Sequence, residues 1–351
     1  MSSPVVQTVG YTRTRVHSRR AWVRGSAVAA LLALFAVELT LAWPSLTAAL
    51  AQLQTPDLRW LTVAVAAEVA AMSAYAQMQR RLLRSAGVKA PIRRHLALAY
   101  AAHSLSVTLP GGPAFSTQLN YQQMRRFGAT PAIASWCIAL SAILSATALA
   151  ILTAAGGLAA NGAPQWHTVA GLGVATLLLL LGIRQVTRRP EALEPATRAT
   201  LARINRLRHR PATQGLDGIR GFVDQLRLAR LTPTHAAAAV AYAVLNWLLD
   251  AVCLGACVLA FGGSVGVTEL LLAFCAGMAA ATISLIPAGL GVIDNALVLG
   301  LLAGGTDTTT AITAVVLYRI ISFGFIIGVG WISWLVIRRN TTERAHFPEV
   351  R

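Results

Sequence analysis

The chain has 351 residues, of which 56% are hydrophobic and only 12% charged, with a formal net charge of +17. Soluble domains carry about 25% charged residues, so these figures exclude a disordered chain and weigh against an ordinary soluble domain. The basic balance does not make a nucleic-acid binder either, because the arginines stand between long apolar blocks rather than on a polar surface.

The first block follows Arg13, Arg15, Arg19, Arg20 and Arg24 and ends at Trp43-Pro44 without a small-residue cleavage motif, which predicts an uncleaved helix over 25–43 rather than a signal peptide. A second full-length helix is predicted over 58–79. His95 to Leu109 is shorter and runs into Pro110-Gly111-Gly112-Pro113, followed by a polar segment, Ala114 to Met124, that holds Gln118, Asn120, Gln122 and Gln123. Phe127 to Ile183 contains no Asp, Glu, Lys or Arg, and its 57 residues suffice for two spans of about 20 residues, at 131–155 and 165–184. Residues 185–232 are polar and basic. There Ile219, Phe222, Val223 and Leu226 recur at helical spacing beside Arg220, Arg227 and Arg230, which suits a short helix on an anionic inner leaflet or a solvated loop. A helix over 234–262 comes next. Leu270 to Ile286 then runs into Pro287-Ala288-Gly289-Leu290-Gly291, Val292 to Ala303 follows, and a last helix covers 310–337.

Charge sets the topology, because cytoplasmic flanks collect Arg and Lys. Both termini, the 80–94 loop, Arg125 and Arg126, and the 184–230 segment hold 28 of the 30 basic residues and are expected inside, leaving Arg59 and Arg319. This parity holds if 95–124 enters and leaves the membrane from the inside and 268–303 from the outside, each as a half-helix, a Pro/Gly break and a second half-helix. Full crossings by both limbs would preserve parity, but the polar 114–124 segment is too short to cross about 30 Å of hydrocarbon. Two broken elements of opposite orientation form the inverted-repeat pattern of transporters, where such breaks mark the substrate site; the breaks could also merely separate ordinary helices. The expected fold is an all-α polytopic membrane protein with about six full transmembrane helices and two re-entrant hairpins. Its parts are a basic N-terminus (1–24), a first membrane half (25–184), a basic loop (185–232), a second half (233–338) and a tail (339–351).

Glu38, Glu68, Asp250, Asp294 and Arg319 fall within predicted spans, where ionisable groups are costly and normally face a cavity or a partner. Arg319 is too deep to snorkel readily, and Asp294, just after the second break, is its candidate counter-ion. The pair suits either a structural tie or a phosphate site. Glu38 and Glu68 stand on adjacent helices, positioned to relay protons or to hydrogen-bond within the bundle. The candidate lipid-binding or gating set is Arg319, Asp294, Pro110, Gly111, Gly112, Pro287, Gly289, Gly291, Asp250 and Glu68. Free N–H groups and a positive dipole end at each break favour an anion, and the glycines admit close approach. Cys137, Cys253, Cys257 and Cys275 read as small buried hydrophobes, and neither His103 nor His167 has metal-ligand spacing. No metal or other cofactor is implied. HExxH and GxSxG motifs are absent, so an intramembrane enzyme is disfavoured.

Leu109-Pro110-Gly111-Gly112 with Arg125-Arg126-Phe127-Gly128 is similar to the first motif of the lysylphosphatidylglycerol synthase transmembrane-region family. Pro287-Ala288-Gly289-Leu290-Gly291-Val292-Ile293-Asp294, followed by Tyr318-Arg319-Ile320, resembles its second. The resemblance covers approximately 25–338 and implies the flippase half of aminoacyl-phosphatidylglycerol synthases, with inverted repeats and re-entrant helices but no aminoacyl-transfer domain. The chain departs from the pattern twice: Pro113-Ala114-Phe115-Ser116 lacks the usual acid, and Asp294 replaces a Glu. The expected function is translocation of an anionic phospholipid or polyprenyl-linked lipid in a bacterial cytoplasmic membrane, a source that the 29 Arg to one Lys also suggest. The alternative is a non-catalytic scaffold subunit of an envelope lipid or glycan synthesis system. Expected partners are that lipid and anionic inner-leaflet lipids along 185–232, with no nucleic acid; a homodimer or an envelope-enzyme partner stays open.

Overall fold

The computed structural model describes residues 56–109, 111–160, 232–283 and 291–346. The predicted helices at 25–43 and 165–184, the 185–232 loop, Glu38 and His167 lie outside the described residues. In chain order the helices are α1 (Leu58–Ser85), α2 (Ile92–Thr108), α3 (Gly112–Arg126), α4 (Pro131–Ala160), α5 (Pro233–Ala260), α6 (Val267–Ile283), α7 (Val292–Ala303), α8 (Thr308–Arg319) and, after a π-helical segment at Ile320–Phe325, α9 (Ile326–His346). Four stretches, Leu58–Ser85, Pro131–Gly157, Thr234–Ala260 and Thr308–Arg339, are long and apolar enough to cross a membrane. α1 and α9 outrun the predicted ends at 79 and 337 because polar residues at bilayer margins extend a helix without extending its apolar block.

Each long helix begins where a side chain or a proline can satisfy or spare its free N–H groups. Asp57 accepts from the Arg59 N–H at 2.8 Å to start α1, and Asp307 accepts from the Thr310 N–H at 3.1 Å to start α8. Pro233 opens α5, where its missing N–H costs nothing. Asp307 lies in the loop beyond the apolar span, and the hydrogen bonds from Thr310 hold its carboxyl below the usual carboxylate range.

The most extensive helix pair is α1 against α5. The Asp57 N–H donates to the Ala260 carbonyl at 2.9 Å, so the start of α1 is tied to the end of α5 and the two run antiparallel. Ala64 and Ala67 face Cys253, Leu254, Ala256 and Cys257 in the largest apolar cluster. Small side chains on both helices allow this close approach, as in other membrane bundles where the solvent supplies no hydrophobic drive. Outward-facing Leu299, Ile332, Leu335 and Val336 are exposed as large apolar groups, as a lipid solvent permits. Trp331 and Trp334 meet edge to face, and Arg338 lies over the Trp334 ring at 5.2 Å, an aromatic and basic girdle that suits a membrane interface.

Two pairs of shorter helices stand between the long ones. α2 and α3 pack together, as do α6 and α7. Down the α6–α7 seam, Gly304 abuts Glu269, Gly300 abuts Ala273, and Gly277 abuts Leu297, a run of small residues that brings the limbs into antiparallel contact. With 17 and 12 residues these limbs extend about 26 and 18 Å, less than a hydrocarbon core of about 30 Å. The packing partners exchange between halves: α2 lies on α9, and α6 lies on α4. A glycine on each receiving helix makes room. Gly330 meets Ser104 and the Tyr100 carbonyl of α2, and Gly156 meets Leu271 and Leu272 of α6.

Candidate functional site

The register of the three long helices brings ionisable side chains to one depth. Glu68 stands eleven residues into the membrane from Asp57, Asp250 ten residues before Ala260, and Tyr318 eleven residues after Asp307. At 1.5 Å per residue each lies about 15 Å from the same end of the bundle, near the middle of a bilayer. The tie between Asp57 and Ala260 fixes the first two, and Gly263 beside Thr310 brings the start of α8 to the same end.

At that level the Tyr318 hydroxyl donates to Asp250 Oδ1 at 2.8 Å. The Glu68 carboxyl is within hydrogen-bonding reach of Asp250, while its Oε2 is buried and receives no hydrogen bond. Arg319, one residue on from Tyr318 and therefore about 100° around the helix, turns to a different neighbour. Its Nε donates to Asp294 Oδ1 in an ion pair, and its Nη2 is buried without a partner. The side chains of Arg319 and Asp294 keep 18% and 29% exposure.

Asp294 is held from both sides. The Gly291 N–H donates to Asp294 Oδ2 at 2.9 Å, so this carboxylate closes the first turn of α7 while facing Arg319 with its other oxygen. Gly291 has φ +78°, a left-handed conformation that a side chain would strain. The first hairpin repeats the turn. Gly111 has φ +64° and opens α3, and Gly112 follows so close to the Leu105 and Ser106 carbonyls that a β-carbon would collide with them. Counting from each glycine, Ala114 stands where Asp294 stands. The first hairpin therefore presents no carboxylate at the position that binds Arg319 in the second.

The sequence-predicted residues divide accordingly. Arg319, Asp294 and Gly291 form one contact network, and Glu68 and Asp250 adjoin it through Tyr318 and its neighbour Arg319. Gly111 and Gly112 build the turn of the other hairpin. Pro110, Pro287 and Gly289 lie outside the described residues. The polar limb of the first hairpin turns partly inward: Asn120 and Gln123 are buried, and Gln79 Nε2 donates to the Tyr75 hydroxyl at 3.2 Å and to Asn120 Oδ1 at 3.5 Å. His103 lies on an exposed face of α2. All four cysteines are buried and free, and among the described residues no group of three His, Cys, Asp or Glu is arranged to hold a metal.

Two contributors escaped sequence reasoning. Tyr318 stood in the second motif, but nothing there named Asp250 as the acceptor of its hydroxyl. The π-helical segment that starts immediately after Arg319 widens the helix at the site, and such segments recur at functional positions.

The apolar spans, the buried ionisable layer and the lipid-facing exterior define a polytopic α-helical membrane protein. The chain belongs to the lysylphosphatidylglycerol synthase transmembrane-region family, whose pattern matches residues 22–330. No curated protein matches the chain in sequence.

Proposed function

We propose that the protein carries an anionic lipid, a phospholipid or a polyprenyl-linked lipid, across the bacterial cytoplasmic membrane without chemically altering it. The observation that carries this reading is the Arg319–Asp294 pair at the start of α7, about mid-depth in the bundle. A carboxylate already engages the guanidinium through Nε and accepts from the Gly291 N–H that caps α7, and a lipid phosphate is the anion that can take its place. Arg suits that role because its planar fork matches phosphate geometry.

In this mechanism the lipid head enters between hairpin and bundle, exchanges with Asp294 on Arg319 and leaves to the opposite leaflet as the hairpins rock. The α2–α3 and α6–α7 pairs serve as re-entrant hairpins from opposite faces, and the exchanged packing, α2 on α9 and α6 on α4, supports an inverted repeat. With both termini cytoplasmic, the arginines of 185–232 supply charge that attracts anionic inner-leaflet lipids. The test is reconstitution in liposomes with leaflet-labelled phosphatidylglycerol or a polyprenyl phosphate. The native protein should accelerate exchange, and Arg319→Ala, confirmed as folded, should return it to the protein-free rate. A native protein that accelerates neither lipid sinks the transport reading and favours a scaffold subunit.

A further inference from the structure

Arg319 and Asp294 account for the anion but leave Glu68 and Asp250 unexplained. Glu68 is 5% exposed on α1, the helix that packs most extensively against α5, and Asp250 of α5 stands at the same depth within its reach. Asp250 Oδ1 has the Tyr318 hydroxyl; Glu68 Oε2 has no donor. The other titratable groups facing them are Tyr100 from α2, Cys253 and Cys257 from α5, and Tyr318 and Arg319 from α8. Arg319 is the cation among these, and it already binds Asp294.

Two carboxylates side by side in a water-poor bundle repel, and nothing in the pocket neutralises both. One proton resolves this. Placed on Glu68, it converts an acceptor without a donor into a donor to Asp250, and the pair passes from two negative charges to one. A proton is also the one ligand that needs no cavity, which suits the buried Glu68 Oε2.

We infer that Glu68 and Asp250 together form a one-proton binding site, linked through Tyr318 and Arg319 to the anion site. The link rests on the lipid-translocation reading above. Asp250 is within the electrostatic reach of Arg319, so loading the pair removes a negative charge from the guanidinium's surroundings and strengthens its hold on a phosphate. Linkage is reciprocal: a bound phosphate strengthens the hold on the proton, and the two are carried together. With one proton per anion, lipid affinity rises by at most about tenfold per pH unit of acidification.

Two measurements on the full-length protein test this. Infrared spectra in nanodiscs, recorded across about pH 5 to 9, should contain a protonated-carboxyl band that titrates reversibly, disappears in Glu68→Gln and shifts in Asp250→Asn. A band that never titrates, or one that neither substitution alters, overturns the site. Binding of a fluorescent phosphatidylglycerol in detergent should strengthen on acidification in the native protein, with the pH dependence flattened in Glu68→Gln whatever its affinity. A flat native profile overturns the linkage and leaves lipid binding standing. Absence of phosphatidylglycerol binding at every pH counts against the lipid reading for that lipid and against the linkage, while the infrared titration decides the proton site independently.

Discussion

Arg319 owes its stability at mid-depth to a single carboxylate. Nε is engaged by Asp294, and Nη2 is buried without an acceptor, so the guanidinium is held but not saturated. That incomplete satisfaction suits a ligand-exchanging group better than a structural tie, in which every N–H would be met. Breaking the pair from one side leaves an uncompensated charge. Arg319→Ala should therefore lower stability by about 2 kcal/mol, between the values for exposed and fully buried pairs. Adding Asp294→Asn should restore most of that loss in thermal unfolding while transport stays absent. A double variant as unstable as the single one would show that Asp294 is needed for the fold apart from its charge. The pairing itself was legible in the sequence, because Arg319 was too deep to snorkel and Asp294, just after the second break, was its candidate counter-ion. The third member, Tyr318, was not, since a hydroxyl announces its acceptor only once the helices are packed.

At the level of elements, the hairpins share a construction and differ in one side chain. Each second limb opens with a left-handed glycine, Gly111 or Gly291, and three residues later carries Ala114 or Asp294. Pro/Gly punctuation made both breaks visible, because only such residues relieve the backbone there. The close approach behind Gly112 was invisible, since it depends on carbonyls that the preceding limb brings alongside. Gly112→Ala should consequently destabilise the protein by more than the roughly 1 kcal/mol gain or loss typical of a Gly/Ala exchange in a helix. Gly328→Ala, at an exposed position with open space around its β-carbon, should change the melting temperature little. Equal effects at the two positions would contradict the packing described for the first hairpin. The π-helical segment after Arg319 left no mark in the composition either. Ile320 to Phe325 is mostly apolar like its surroundings, and a helix apolar on every side offers no periodic pattern for an extra residue to shift.

For the whole molecule, apolar blocks and arginine placement gave the membrane class, but not the partnership of helices. Nothing in the sequence of α2 names α9 as its neighbour; the match lies in Gly330 meeting Ser104, whose hydroxyl donates to the Ile327 carbonyl at 3.2 Å. The same exchange of partners on the other side, α6 on α4, is what two oppositely oriented halves would generate. In a cysteine-free background, Thr117→Cys should react with a membrane-impermeant thiol reagent from the cytoplasmic side, and Thr308→Cys from the outside; both positions are exposed. Labelling of both from one side would remove the opposed orientation of the hairpins and the inverted repeat with it.

The widened turn at Ile320–Phe325 has a consequence for the last rod of the bundle. One surplus residue offsets the helical wheel below it by about 100° relative to the wheel above. The upper part points Tyr318 at Asp250 and Arg319 at Asp294, while the lower part seats Gly330 on α2. No regular α-helix of the same sequence could meet all three appointments at once. Converting that turn to regular α-helix with Gly330 still seated would therefore carry Arg319 away from Asp294.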